Sequence, residues 1–168
     1  ENKRVILVTG ASRGVGKGIA EGLAQPNDII ICAARSLKQG TTVQQFGFAI
    51  NSSLEDTVNN INKTRAQGVP YPIDFNNSDE ILNLAKFIAE EYGQLDLLVH
   101  AACQIHDDLV TSKPYWEKSL DLWSVMDVGM KSNYFLSHAL TPLMIESKGK
   151  LILQISSHGA MCYMHGPI

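Results

Sequence analysis

The 168-residue sequence has no apolar stretch approaching the roughly 18–20 residues needed to cross a bilayer, so no transmembrane segment is expected. No apolar leader precedes its first strand-like run. Charge of one sign is also lacking: 14 Lys and Arg stand against 17 Asp and Glu, a net charge of −3. That removes the electrostatic reason to expect nucleic acid as a partner. Cysteine is scarce, and Cys32, Cys103 and Cys162 follow no regular spacing. A disulfide framework is therefore not expected, and the thiols point to a reducing intracellular compartment, cytosolic or organellar. An initiator Met is missing as well, and an incomplete amino terminus is the expectation.

What is present is ordinary for a globular chain: 45% hydrophobic and 18% charged residues. The length suits one domain over 1–168. "RVILVTG" and "IIICAA" are β-branched, apolar runs of strand length. Between them "GVGKGIAEGLAQ" sets Val15, Ile19, Ala20 and Leu23 at helical spacing. The polar stretch "SLKQGTTVQQFGFAIN" reads as a long loop. A helix is expected next, capped by Ser53 and stopped at Gly68, followed by a short strand "VPYPID". "NNSDEILNLAKFIAEEYG" is an amphipathic helix with Ile81, Leu84, Ala85, Ile88 and Tyr92 on one face. "LDLLVHAA" is a fourth strand, "LDLWSVMDVGMKSNYFLSHALTPLMIES" a long helix despite Gly129 and Pro142, and "KLILQIS" a fifth strand. Apolar strands alternating with helices predict an α/β fold, a doubly wound parallel sheet between two helix layers that stops after its fifth strand.

The stretch "VTGASRGVGKGIA" carries the first chemical signal. A strand, a turn with Gly10, Gly14 and Gly16, and a helix aim free N–H groups and the helix dipole at one point, which favours an anion such as a pyrophosphate. A triphosphate-binding loop would need Ser or Thr after Lys17 to bind magnesium, but Gly18 stands there. A dinucleotide needs only the glycines and their flanking elements; a tight turn holding no ligand is the bland alternative. An acid that binds the ribose hydroxyls of NAD would sit at the end of the second strand. Ala33 and Ala34 occupy that place, with Arg35 next and Arg13 in the turn. Two guanidiniums favour a 2′-phosphate, hence NADP(H), with NAD(H) possible; a solvated loop Arg35 is the competing reading.

Taken together, these residues resemble the short-chain dehydrogenase/reductase family. "TGASRGVG" is similar to its TGxxxGxG motif, Asp74 in "PIDFN" to its adenine-binding aspartate, and "GKLILQISS" to the strand that ends at its catalytic serine. "PYWEKSLDLWSVMDVGMKSNYF" resembles one branch of the family, with a similarly spaced Trp pair, although the segment after the second strand is longer than in that branch. The resemblance implies a Rossmann-type fold and hydride transfer between a nicotinamide and a small carbonyl or alcohol substrate. It implies a cofactor site of Gly10, Ser12, Arg13, Gly14, Val15, Gly16, Arg35, Asp74 and Ala101, and a catalytic serine at Ser156 or Ser157. It also implies a homo-oligomer assembled through the long helix, 120–145.

The catalytic half departs from the pattern. The family's Tyr-x-x-x-Lys is expected just beyond Ile168, "HAAC" (100–103) replaces NNAG, and Gly129 takes the place of a helix-bending Asn. These departures support a rival reading, a catalytically inactive nucleotide-binding or structural subunit. Tyr163 reads as a pocket wall. Cys103, His106, Cys162 and His165 form two Cys-x-x-His pairs, read here as pocket lining and not as a metal site. His100 is expected to be a hydrogen-bonded core residue, and His138 and Trp123 to be packed.

Overall fold

A computed structural model describes residues 3–45 and 47–157. In chain order its elements are β1 (Val5–Thr9), α1 (Gly14–Leu23), β2 (Ile29–Ala34), β3 (Thr42–Gln45), β4 (Phe48–Asn51), α2 (Leu54–Asn62), β5 (Gln67–Pro72), α3 (Ser78–Tyr92), β6 (Leu97–His100), α4 (Ser124–Met126), α5 (Ser132–Glu146) and β7 (Leu151–Gln154). Five strands form one sheet in the order β5-β2-β1-β6-β7, every pairing parallel. Every residue of β1 and β2 is buried, because helices cover both faces. Val5, Leu7, Ile29 and Ile31 pack with residues of α3 and α5, such as Ile81, Leu84 and Leu136. Their neighbours Ile6, Val8, Ile30 and Cys32 pack with Ala20 of α1 and Leu54 and Ile61 of α2. Each such side chain, fully buried, contributes about 1.5–3 kcal/mol. The period of two along each strand thus serves both helix layers at once.

The edges differ from the centre. Pro70 and Pro72 lie in β5, an edge strand where a missing ladder N–H is tolerated. Among the described residues β7 is the opposite edge, and all four of its residues are exposed. Among the described residues no helix is long and apolar enough to cross a membrane.

Several expectations need correction. The segment after β2 is not a plain loop but an antiparallel hairpin, β3 with β4. Gly47, at φ +79°, takes a left-handed conformation in its turn that other residues reach only with strain. Ser53 does cap α2, accepting from the Asp56 N–H at 3.1 Å, but the helix ends at Asn62. Arg65, at φ +67°, turns the chain. Gly68 is a strand residue, and a Cβ there would lie 3.0 Å from Val58 Cα, so glycine lets α2 approach β5.

Val15 is 62% exposed and belongs to the cleft side of α1, not to its packed face. Trp123 is 67% exposed, and His138 is exposed beside the Tyr134 ring, so neither is packed as expected. The long helix is not uniform. It opens as a 3₁₀ turn (Leu120–Trp123), passes through α4, widens into a π segment (Asp127–Lys131) containing Gly129, and continues as α5 through Pro142.

Candidate functional site

The glycine turn is shaped by close approaches. Gly10 has φ +70°, and a Cβ there would fall 2.7 Å from the Ala101 carbonyl oxygen; one on Gly16 would fall 2.3 Å from that of Gly10. No other residue fits without backbone movement. Gly14, at φ +55°, has no atom within 4 Å of where a Cβ would stand. Its face is open to the cleft.

The start of α1 is unlike those of its neighbours. Ser53 caps α2 and Asn77 caps α3, and both helices carry acids in the first turn. The N-cap of α1 is Arg13, whose side chain makes no capping bond, and no acid follows it. The dipole and the first N–H groups of α1 are left uncompensated by side chains.

These features border one cleft of about 710 Å³ at the carboxyl ends of the strands. A crevice in this place, where strand order reverses between β1 and β6, is where open α/β sheets bind ligands. All nine residues expected to hold the cofactor line it. Gly10, Ser12, Arg13, Gly14, Val15 and Gly16 come from the turn; Arg35, Asp74 and Ala101 come from the ends of β2, β5 and β6. Lys17 is absent from the lining and pairs with Glu21 at 3.8 Å.

The cleft carries unpaired positive charge. Arg13 Nη1 is buried and has no hydrogen-bond partner among the described residues. Burial and then the nearby Arg35 charge hold the Arg13 guanidinium below its ordinary pKa. Among the described residues, no carboxylate lies within 4.0 Å of either arginine. Two like charges, one with an orphaned donor, make a strong demand for an anion. Asp74 is held in place instead: its Oδ1 accepts from the backbone and side-chain nitrogens of Asn76, both at 3.0 Å, and its N–H donates to Glu80 Oε2 at 2.8 Å.

"HAAC" is supported by means the sequence did not suggest. The Thr9 hydroxyl accepts from the N–H groups of Ala101 and Ala102 at 3.1 and 3.0 Å, tying the end of β1 to the chain leaving β6. His100 is a hydrogen-bonded core residue, as expected: it is 2% exposed, with Nε2 2.9 Å from Ser137 Oγ on α5. Its Nδ1 is buried without a partner among the described residues, and desolvation lowers its pKa to about 4. Burial likewise pushes the Cys32 thiol up to about 12, so it is inert. Near Gly129, Asn133 Nδ2 donates to the Gly129 carbonyl at 2.7 Å and to Gln154 Oε1 at 3.0 Å.

Ser156 and Ser157 follow β7 and are exposed. Ile155 lines the cleft, whereas neither serine does. Cys103 lines the cleft, but His106 instead caps a 3₁₀ turn, its Nδ1 accepting from the Asp108 N–H at 3.1 Å. Tyr163, Cys162, His165 and His158 lie outside the described residues. Sequence reasoning missed Val43, Ile50 and Ser52, which the hairpin brings into the cleft wall. The available signals were the β-branched Thr41, Thr42 and Val43 before Gly47 and the apolar Phe48 and Ile50 after it.

Comparison with known proteins follows the same outline. A family model described as enoyl-(acyl carrier protein) reductase matches residues 10–167. The chain is 31% identical over 155 residues to 3-oxoacyl-(acyl-carrier-protein) reductase FabG of Buchnera aphidicola subsp. Baizongia pistaciae, covering 92% of this chain and 55% of that protein. It is 30% identical over 167 residues to dehydrogenase/reductase SDR family member 1 of Homo sapiens, covering 97% and 49%. The chain therefore spans about half the length of these curated relatives. Among solved structures, it superimposes on a metagenomic short-chain oxidoreductase in complex with NADP with TM-score 0.79, 25% identity and coverage of 96% of this chain and 66% of that one. A short chain dehydrogenase from Shigella flexneri 2a str. 301 complexed with NADP gives TM-score 0.76 at 26% identity, covering 98% and 63%.

Proposed function

Given that the chain belongs to the short-chain dehydrogenase/reductase family, we propose that the full protein is an NADP(H)-preferring oxidoreductase acting on a small carbonyl or alcohol substrate. The observation that carries this reading is that Arg13 and Arg35 both line the cleft with no carboxylate partner among the described residues, Arg13 Nη1 being buried there without a hydrogen-bond partner. It fits a 2′-phosphate, and each charge-assisted bond to one contributes about 1.5–3 kcal/mol. The NADP complexes of two structural neighbours lend support.

In this reading the start of α1 and the open face of Gly14 hold the pyrophosphate, and Asp74 the adenine amino group. Gly10, Ser12, Val15, Gly16 and Ala101 shape the floor. When bound, the nicotinamide supplies or accepts the hydride. Ser156 or Ser157 orients the substrate oxygen. The 168 residues contain no Tyr-x-x-x-Lys, so no residue of this chain is assigned as the proton carrier. The long helix is the proposed surface for a second copy, supported by exposed Trp123, Met130, Tyr134 and Ile145 along it.

The test is NADPH oxidation by the full-length protein with a panel of aldehydes and ketones. Turnover is expected, with Ser156→Ala and Ser157→Ala measured separately: one should lower kcat by roughly a hundredfold or more, and the other should leave it nearly unchanged. Tight NADPH binding with no turnover across the panel would instead support a nucleotide-binding subunit.

A further inference from the structure

We propose that the β3–β4 hairpin is a wall for the adenosine 2′-phosphate end of the dinucleotide, with Val43, Ile50 and Phe48 as its contact face. The proposal rests on the dinucleotide reading of the cleft and adds an element to it. In the hairpin register Val43 stands opposite Ile50 and Gln45 opposite Phe48. Cross-strand partners and residues two apart share a face, so Val43, Ile50 and Phe48 lie together on one side of the ribbon. Val43 and Ile50 line the same cleft as Arg35 and Asp74. Phe48, nearer the turn, is 72% exposed.

The hairpin is fixed to the anion-binding turn. At its base the Ser52 N–H donates to the Thr41 carbonyl at 2.9 Å, and the Ser53 N–H donates to the Ser12 carbonyl at 2.9 Å. Ser52 Oγ donates to Ser12 Oγ at 3.0 Å, a hydroxyl pair buried between hairpin and glycine turn. An isolated two-stranded ribbon is marginally stable in water, and this one gains its footing from these bonds. Its apolar face therefore stands at a set position in the cleft that Arg13 and Arg35 line, two guanidiniums with no carboxylate partner among the described residues.

An adenosine 2′-phosphate satisfies both demands at once. Its phosphate answers the charge of Arg13 and Arg35, and its base and ribose cover the apolar face. By excluding water there, the wall also raises the effective strength of the arginine–phosphate contacts.

Two ligands that divide the dinucleotide provide the test: adenosine 2′,5′-bisphosphate and nicotinamide mononucleotide, titrated with NADPH against the full chain. The double variant Val43→Ser/Ile50→Ser should weaken NADPH and the bisphosphate about tenfold, leave the mononucleotide unchanged, and steepen the salt dependence of bisphosphate binding. Phe48→Ser, at an exposed position that folding does not depend on, should weaken the same two ligands by roughly threefold. Unchanged affinity for the bisphosphate in Phe48→Ser and the double variant would overturn the proposal. An equal loss for both half-ligands would overturn it too, because the hairpin would then act only through the fold. If the parent chain binds neither NADPH nor the bisphosphate, the cofactor reading itself fails and takes the hairpin's role with it.

Discussion

β2 and β7 are built from similar residues, "IIICAA" and "LILQ", yet every residue of the first is buried and every residue of the second is exposed. β2 lies between β5 and β1 under two helix layers, while among the described residues β7 pairs with β6 alone. Apolar composition specifies that a segment is a strand; its place in the sheet decides how much water it loses. The same contrast runs through the chemistry. The turn, β2 and β5 converge on a cleft lined by Arg13 and Arg35, which have no carboxylate partner among the described residues. The region from Tyr115 to Tyr134 instead exposes Tyr115, Trp116, Leu120, Trp123, Met130 and Tyr134.

The sharpest way to break this contrast is to truncate matched residues in the two strands. Ile31→Ala, in the centre of β2, should cost about 2–5 kcal/mol in urea unfolding. In the 168-residue chain Leu153→Ala, 38% exposed among the described residues, should cost less than half as much. Equal losses would mean that β7 is as enclosed as β2.

Next in size is the acid response of His100. Its folded pKa of about 4 lies below the unfolded value near 6.5. Between those values the unfolded chain binds more protons, so the stability held with neutral His100 is complete above pH 6.5 and is lost as pH falls towards 4. The loss is no more than about 3 kcal/mol. Urea midpoints at several pH values should fall through this window, and His100→Asn should flatten the fall.

Arg35→Asp removes one of the two guanidiniums and adds an opposing charge. It should weaken NADPH by roughly tenfold to a hundredfold and shift preference towards NADH, read by fluorescence titration. An unmoved preference would mean that Arg35 is a solvated loop residue. The smallest effect belongs to Thr9→Val, which strands the N–H groups of Ala101 and Ala102. A loss of about 1–2 kcal/mol in thermal or urea unfolding is expected, since both donors are part-buried.

Much of the fold was legible because its signals are local. The apolar runs of β1 and β2, the Ser53 cap and the amphipathic face of α3 each declare themselves within a few residues. The nine cleft residues were legible for a related reason: six fall in one turn, and the other three follow strands whose parallel order brings their ends together. What escaped notice depends on tertiary context. Thr and Gln mask the hairpin's alternation, and only its seat on Ser12 explains why it forms. Gly68 looked like a helix stop, but its use is the close passage of Val58. The 3₁₀ turn that leaves Trp123 exposed, the π segment around Gly129 and the bond from Asn133 to the Gly129 carbonyl carry no local sequence signal.

The central claim is that the cleft holds a dinucleotide by its 2′-phosphate. The most direct measurement is a pair of equilibrium titrations of the full-length protein, NADPH and NADH at matched ionic strength. The account predicts that NADPH binds at least tenfold more tightly, and that its advantage shrinks as salt rises. Equal affinities, or tighter NADH binding, would contradict it.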